Sequence, residues 1–161
     1  TYMEVIRGKT AMLFEASSHS AAVLAGADEV QTEALRVFGD HLGVAFQLMD
    51  DLLDYRGDAQ AMGKNVGDDL AEGKPTLPLI HAMREGTPAQ AELVRKAIQQ
   101  GGSQDLESIR AAVEAAGSLD YTAQLARDFA EKAIQCLSTL PASQYRDALS
   151  ELTRFAVARS N

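Results

Sequence analysis

Apolar residues recur every three or four positions along most of the chain, which is the spacing of one face of an α-helix. The spacing predicts a first helix over residues 2–24 that stops at Gly26, and a second helix from about residue 28 to residue 56. Gly57 follows the second helix, and glycine suits the left-handed conformation that ends many helices. No stretch alternates strictly between apolar and polar residues as a half-buried strand would. The pattern therefore predicts an all-α fold.

The remainder of the chain predicts shorter helices that follow a long loop. Residues 57–76 contain repeated glycines, Pro75 and a cluster of charged side chains, which together prevent a continuous helix. A loop of this length is rarely only a connection. Helices are then predicted over residues 77–84, 88–100, 103–116, 119–140 and 141–158. Ser103 is the expected cap of the third of these, and Pro141 the expected first residue of the last.

Aspartates stand near the end of the second predicted helix, in the segment QLMDDLLDYR, residues 47–56. When each residue advances by about 100° around a helix, a single polar arc about 100° wide remains among apolar neighbours. The arc consists of Gln47, Asp50, Asp51 and Asp54. Gly39 and Gly43 continue it toward the start of the helix. We expect this helix to be surrounded by core and to open onto a cavity along the arc.

The aspartate arc has two interpretations. Most acidic runs on helices are solvated faces. A solvated face is usually wider, however, and the unpaired carbonyls of the last turns disfavour each aspartate by roughly 0.3 to 1 kcal/mol. A divalent cation reverses that penalty. Asp50 and Asp54 lie about 6 Å apart along the helix axis, so both can face one ion. Mg²⁺ is favoured because it combines one or two carboxylates with waters and substrate phosphates.

Basic residues elsewhere in the chain are candidates for binding such a phosphate. Lys9 and Thr10 follow Gly8 inside the first predicted helix, and Lys64 and Lys74 lie in the glycine-rich loop. Each lysine taken alone also fits an exposed surface position. The glycine-lysine-threonine segment is not a P-loop, because methionine occupies the place of the first P-loop glycine and no strand precedes it. The pattern thus excludes a nucleotide triphosphatase of that type.

Composition and charge limit the function further. The chain has 161 residues, 46% of them hydrophobic and 24% charged, which is enough for one domain with a core. Its formal net charge of −8 argues against nucleic-acid binding. No apolar run reaches the roughly 18 residues of a membrane span, and the first residues lack the apolar core of a signal peptide, so we expect a cytoplasmic location. Cys136 is expected to be a buried thiol without a role, and His19, His41 and His81 to be structural.

Three segments together resemble the C-terminal half of the trans-isoprenyl diphosphate synthases, the polyprenyl synthetase family. They are GKTAMLFEA, FQLMDDLLDY and GKNVGDDLAEGKPTLPLIHAM, in that order. The likeness is greatest to members that make long, octaprenyl products for quinone side chains. It implies a helical bundle of the isoprenoid synthase type, usually a homodimer, that uses Mg²⁺. Such enzymes ionise an allylic diphosphate, and the resulting cation is attacked by isopentenyl diphosphate.

The resemblance also implies roles for individual residues. Asp50, Asp51 and Asp54 match the family's second aspartate-rich motif, which holds the metal directly or through water. The residues that match ligands of the allylic diphosphate are Lys9, Thr10, Gln47, Lys64 and Lys74. Among all of these, Asp50, Lys9 and Lys64 are expected to have the most direct catalytic role.

Two departures and two alternatives accompany this interpretation. The family's first aspartate-rich motif and its basic site for isopentenyl diphosphate are absent from these residues. We therefore expect residues 1–161 to be the C-terminal part of a single isoprenoid synthase domain that lacks the N-terminal helices, and to be inactive alone. One alternative is a noncatalytic partner subunit of a prenyl synthase, which has no chemical reason to keep the aspartates and lysines. The other is a terpene cyclase, whose second metal motif mixes Asn, Ser or Thr and Glu instead.

Overall fold

The computed structural model describes residues 1–56, 67–100 and 106–158. Over these ranges the chain forms helices and turns without any strand, so the predicted all-α fold is confirmed. The helices are α1 (Tyr2–Ile6), α2 (Met12–Leu24), α3 (Glu29–Arg56), α4 (Asp68–Ala71), α5 (Leu77–Glu85), α6 (Pro88–Gln100), α7 (Leu106–Ala115), α8 (Ser118–Cys136) and α9 (Gln144–Ala158). A π-helical turn, Arg7–Ala11, joins α1 to α2, and a 3-10 turn, Leu137–Thr139, follows α8.

The first two predicted helices are present, and their starts and the end of the first agree with the prediction. The segment from α1 to α2 ends at Gly26, whose φ of +68° is the left-handed conformation that glycine adopts without strain. α3 starts after Asp28, whose Oδ1 accepts a hydrogen bond of 2.8 Å from the backbone N–H of Gln31. This is an N-cap, which satisfies one of the N–H groups that lack a partner within the helix. Gly57, the predicted end of α3, lies outside the described residues.

One helix, α4, was not predicted, and another, α9, starts later than predicted. α4 lies in the segment predicted as a loop, and four residues are too few to show helical periodicity. α9 begins at Gln144 instead of Pro141, because Ser143 supplies the cap: its Oγ accepts a hydrogen bond of 3.2 Å from the backbone N–H of Arg146. Ser103, the predicted cap of α7, lies outside the described residues.

The chain divides into two compact units. The first contains Thr1, Met3–Met49 and the chain from Leu125 onward, and the second contains Tyr2 and Asp50–Gln124. The division after Met49 falls within α3. Among the described residues, no helix is long and apolar enough to cross a membrane.

In the first unit, α3 lies against the first helical segment at close range. The buried cluster of this unit consists of Phe38, Leu42, Ala133, Leu137 and Ala156. A Cβ atom at Gly43 would come within 2.5 Å of the Ala11 Cα, and one at Gly39 within 2.5 Å of the Phe14 carbonyl oxygen. At these glycines the polar arc thus faces the backbone of the neighbouring helix, where the sequence predicted an open cavity. Small residues are required there for helix contact.

In the second unit, α5, α6 and α7 pack on one another and α4 packs against α6. The fully buried side chains of this unit include Leu52, Leu70, Leu79, Val94, Ile109 and Val113. His81 is buried beside them, with Nδ1 3.0 Å from the Ser118 hydroxyl and its ring stacked on Tyr121. These contacts agree with the structural role expected for His81. In the first unit Cys136 is half-buried rather than fully buried, and burial raises the pKa of its thiol.

Candidate metal and diphosphate site

Asp51 is the most deeply buried aspartate at the C-terminal end of α3, with a relative exposure of 3%. The Tyr2 hydroxyl donates a hydrogen bond of 2.6 Å to Asp51 Oδ2. Burying a carboxylate is unfavourable unless hydrogen bonds or opposite charges compensate it. Asp51 therefore accepts a hydrogen bond from a hydroxyl 49 positions earlier in the chain, which the polar arc alone did not reveal.

Asp54 accepts hydrogen bonds from two residues at the start of the next described segment, Gly67 and Asp69. The backbone N–H of Gly67 donates a hydrogen bond of 3.0 Å to the Asp54 carbonyl oxygen, and the N–H of Asp69 donates one of 3.3 Å to Asp54 Oδ2. Gly67 has a φ of +88°, a conformation that favours glycine, so the turn depends on that residue type. The start of α4 is thereby joined to the end of α3.

Asp54 is half-buried and lies near two other carboxylates, those of Asp69 and Asp68. Burial and the nearby carboxylates of Asp69 and Asp68 together raise the pKa of its carboxyl group to about 6, although backbone hydrogen bonds oppose the rise. A raised pKa means that the negative charge of Asp54 is unfavourable where it stands. A cation bound at Asp54 would remove that unfavourable energy.

Lys74, a predicted phosphate ligand, lies in the same unit as Asp50, Asp51 and Asp54. Its Nζ lies 3.0 Å from Asp69 Oδ1 and 2.6 Å from Glu72 Oε2. Hydrogen bonds to these carboxylates raise the pKa of the Lys74 ammonium group, so it stays protonated. Lys74 thus sits beside Asp69, the residue whose N–H contacts Asp54, and is paired with acidic side chains of its own loop.

Thr10 and Gln47, two further predicted ligands, are joined directly within the first unit. The Thr10 hydroxyl donates a hydrogen bond of 2.7 Å to Gln47 Oε1. Gln47 is 8% exposed and Thr10 is half-buried. Because the hydroxyl fixes Oε1 as an acceptor, it also fixes the orientation of the whole amide.

Lys9 lies in the π-helical turn Arg7–Ala11, next to Thr10. Its side chain is exposed and forms no ion pair with another described residue. Arg7, from the same turn, pairs with Asp40 at 3.2 Å. Single π-helical turns occur frequently at functional sites, because the extra residue changes the direction of the side chains. Space beside Gly8 is open, since a Cβ atom there would meet nothing within 4 Å.

The structure therefore joins some of the predicted residues and leaves others apart. Asp51 and Asp54 lie in one unit with Lys74, and half-buried Asp50 precedes Asp54 by one helical turn. Lys64 lies outside the described residues. Within the described ranges, no three Asp, Glu, His or Cys side chains converge as a closed metal cluster.

Two residues of this region, Tyr2 and Asp69, were not identified from the sequence. Asp69 could have been suspected, because it is one of two adjacent aspartates in a glycine-rich segment. Tyr2 could not, because its partner Asp51 lies 49 positions away and no local pattern connects them.

Both a family model and individual relatives show that the sequence is similar to polyprenyl synthetases. A family model described as polyprenyl synthetase matches residues 1–116. The octaprenyl diphosphate synthase of Haemophilus influenzae is 51% identical over 160 residues, which are 99% of this chain and 49% of that protein. The octaprenyl diphosphate synthase of Escherichia coli K12 is 52% identical over 159 residues, which are 98% of this chain and 49% of that protein.

Solved structures agree with the sequence relatives. The structure of a polyprenyl synthase from Caulobacter crescentus CB15, complexed with calcium and isoprenyl diphosphate, is 46% identical with a TM-score of 0.91. The match covers 99% of this chain and 49% of that one. The chain thus spans about half the length of the relatives it matches. Since the family model covers most of the chain and the fold agrees with it, the chain belongs to the polyprenyl synthetase family.

Proposed function

We propose that the chain is part of a trans-polyprenyl diphosphate synthase that joins isopentenyl diphosphate to an allylic diphosphate and makes a long-chain, octaprenyl product. The carboxylates at the end of α3 carry this proposal. Asp54 has a pKa raised to about 6, so its charge needs a cation, and Asp50 lies one turn before it. The octaprenyl length rests on the identity of about half to synthases of that name.

Asp50, Asp51 and Asp54 are the proposed Mg²⁺ ligands, directly or through water. Carboxylate oxygens are the donors that Mg²⁺ prefers. The Caulobacter structure, with calcium and isoprenyl diphosphate bound, supports a divalent cation and a prenyl diphosphate as ligands in this family. Bound Mg²⁺ would neutralise negative charge that develops on the leaving diphosphate.

The proposed ligands of the allylic diphosphate are Lys9, Thr10, Gln47, Lys64 and Lys74. Exposed Lys9 and protonated Lys74 can donate charge-assisted hydrogen bonds to phosphate oxygens. Thr10 orients the Gln47 amide, so that the amide needs no reorganisation when substrate binds. These preorganised donors would stabilise the leaving diphosphate as its bond to the allylic carbon breaks. No side-chain nucleophile is required for this reaction.

We further propose that residues 1–161 are the C-terminal part of one isoprenoid synthase domain, which works with further helices and as a homodimer. Large apolar side chains are exposed on the first helical segment, including Met12, Leu13, Val23 and Leu24. Met12 and Val23 are separated by about three helical turns, as are Leu13 and Leu24, so these residues share one side of α2. Large apolar side chains exposed on one side of a helix are often covered by another helix or subunit. The cytoplasmic location stays a prediction from sequence.

The test is an elongation assay with labelled allylic diphosphate, isopentenyl diphosphate and Mg²⁺. The chain is assayed alone and after mixing with a polypeptide that supplies the remaining half of the synthase domain. Long-chain product is expected only from the mixture, because positioning two substrates contributes roughly 7 to 11 kcal/mol in favourable cases. Elongation by the chain alone would contradict the incomplete-domain proposal. A mixture that stays equally active with Asp50→Asn would instead identify the chain as a noncatalytic partner.

A further inference from the structure

The Tyr2 hydroxyl donates a short hydrogen bond to Asp51, an aspartate of α3. The distance between Tyr2 Oη and Asp51 Oδ2 is 2.6 Å, which is typical of a hydroxyl that donates to an ionised carboxylate. Both residues belong to the second compact unit, although their neighbours Met3 and Met49 belong to the first. Tyr2, the first residue of α1, thus contacts an aspartate of α3 through its side chain.

We propose that Tyr2 is a positioning residue that orients the Asp51 carboxylate for the divalent cation. This inference rests on the metal role proposed above for the aspartates of α3. A carboxylate is planar, so a strong hydrogen bond to one oxygen fixes the direction of the other oxygen as well. Residues that hold a metal ligand in this way commonly change metal affinity by about 10- to 100-fold when they are removed.

A purely structural role for the Tyr2 hydroxyl is the competing explanation, because a buried tyrosine usually places its hydroxyl on some acceptor. Tyr55 provides a matched comparison within the same unit. It is 1% exposed, and its hydroxyl lies 3.4 Å from the Thr76 hydroxyl instead of contacting a carboxylate. Removal of either hydroxyl should lower stability, whereas only removal of the Tyr2 hydroxyl should lower metal affinity.

The experiment measures Mg²⁺ affinity by titration calorimetry in the presence of inorganic pyrophosphate, using the whole chain. Tyr2→Phe is expected to weaken Mg²⁺ binding about tenfold, and Tyr55→Phe to leave it unchanged. In an Asp51→Asn background, Tyr2→Phe should have no further effect on affinity, since coupled residues are not additive. Equal affinity of Tyr2→Phe and the unsubstituted chain overturns the proposal, as does an equal loss in both backgrounds.

A second measurement does not require a Tyr2 variant to fold. The chain contains no tryptophan, so tyrosines dominate its near-ultraviolet absorbance. Because the Tyr2 hydroxyl donates a hydrogen bond to Asp51, the absorbance of Tyr2 should change when a cation binds that carboxylate. At Mg²⁺ and pyrophosphate concentrations where calorimetry shows binding, an unchanged tyrosine difference spectrum overturns the proposal. If the unsubstituted chain binds no Mg²⁺ at all, both the proposed metal site and the proposed role of Tyr2 are wrong. If Tyr2→Phe binds Mg²⁺ as tightly as the unsubstituted chain does, only the role of Tyr2 is wrong.

Discussion

The Thr10 hydroxyl donates a hydrogen bond of 2.7 Å to Gln47 Oε1, across 37 positions of the chain. The two residues belong to separate segments that were each assigned to the allylic diphosphate by resemblance alone. Their direct contact means that the π-helical turn and α3 position each other in the first unit. A substrate that bound one of them would therefore also depend on the other.

Thr10→Val should test that dependence. Valine keeps the shape of threonine but removes the donor, so the buried Gln47 amide loses a partner and stability should fall by about 1 kcal/mol. Affinity for pyrophosphate in the presence of Mg²⁺ should fall as well, by a few fold to tenfold. Urea unfolding measures the first effect and calorimetry the second. Thr139→Val is the control, because its hydroxyl bonds only the Cys136 carbonyl at an exposed turn and its loss should leave pyrophosphate affinity unchanged.

Asp50→Asn should weaken binding of Mg²⁺ with pyrophosphate at least about tenfold, equivalent to roughly 1.4 kcal/mol. The reason is that Asp50 is a proposed Mg²⁺ ligand, and asparagine removes its charge while it keeps the size of the side chain and one oxygen. Asp147→Asn is the matched control because Asp147 is an exposed helical aspartate on α9. Calorimetry that shows the same affinity for Asp50→Asn and the control at equal pH would remove Asp50 from the metal site.

Gly43→Ala should destabilise the fold by roughly 1 to 3 kcal/mol, the range for inserting a methyl group into a filled space. The new Cβ would lie 2.5 Å from the Ala11 Cα, where backbone rather than a flexible side chain must move. Gly8→Ala serves as the control, because its Cβ would meet nothing within 4 Å. The midpoint of urea unfolding should therefore fall for Gly43→Ala only. Equal midpoints would show that α3 and the first helical segment are not in such close contact.

Local patterns predicted the helices and the polar arc because both depend on residues a few positions apart. Apolar spacing placed the start of α3 within a residue, and it placed Asp50 and Asp54 on one side of that helix. The π-helical turn was not predictable, since one additional residue per turn hardly disturbs the apolar spacing. The contacts of Asp51 and Asp54 were not predictable either, because their partners Tyr2 and Asp69 come from distant parts of the sequence.

Asp54→Asn should stabilise the metal-free chain at pH 7 while it weakens Mg²⁺ binding. In the folded chain the pKa of Asp54 is raised from 3.8 to about 6, so the folded state binds a proton more tightly than the unfolded state. The free energy of unfolding therefore increases as the pH falls from about 6 toward 3.8 and Asp54 becomes protonated in the folded chain. At pH 7 and above Asp54 is ionised, and the full destabilising effect of its charge is present.

Asparagine removes that charge, so the gain in the urea midpoint should be present at pH 7 and disappear near pH 4. With Mg²⁺ and pyrophosphate the order should reverse, because bound cation stabilises only the chain that retains the carboxylate. Affinity of the unsubstituted chain for Mg²⁺ should also decrease as the pH falls below about 6, where protons compete for Asp54. Asp147→Asn is again the control, because its exposed carboxylate lies in the first turn of α9, where negative charge is favourable, so that its removal should not raise the midpoint. A lower midpoint for Asp54→Asn at pH 7 without metal would show that Asp54 serves the fold, and not a cation.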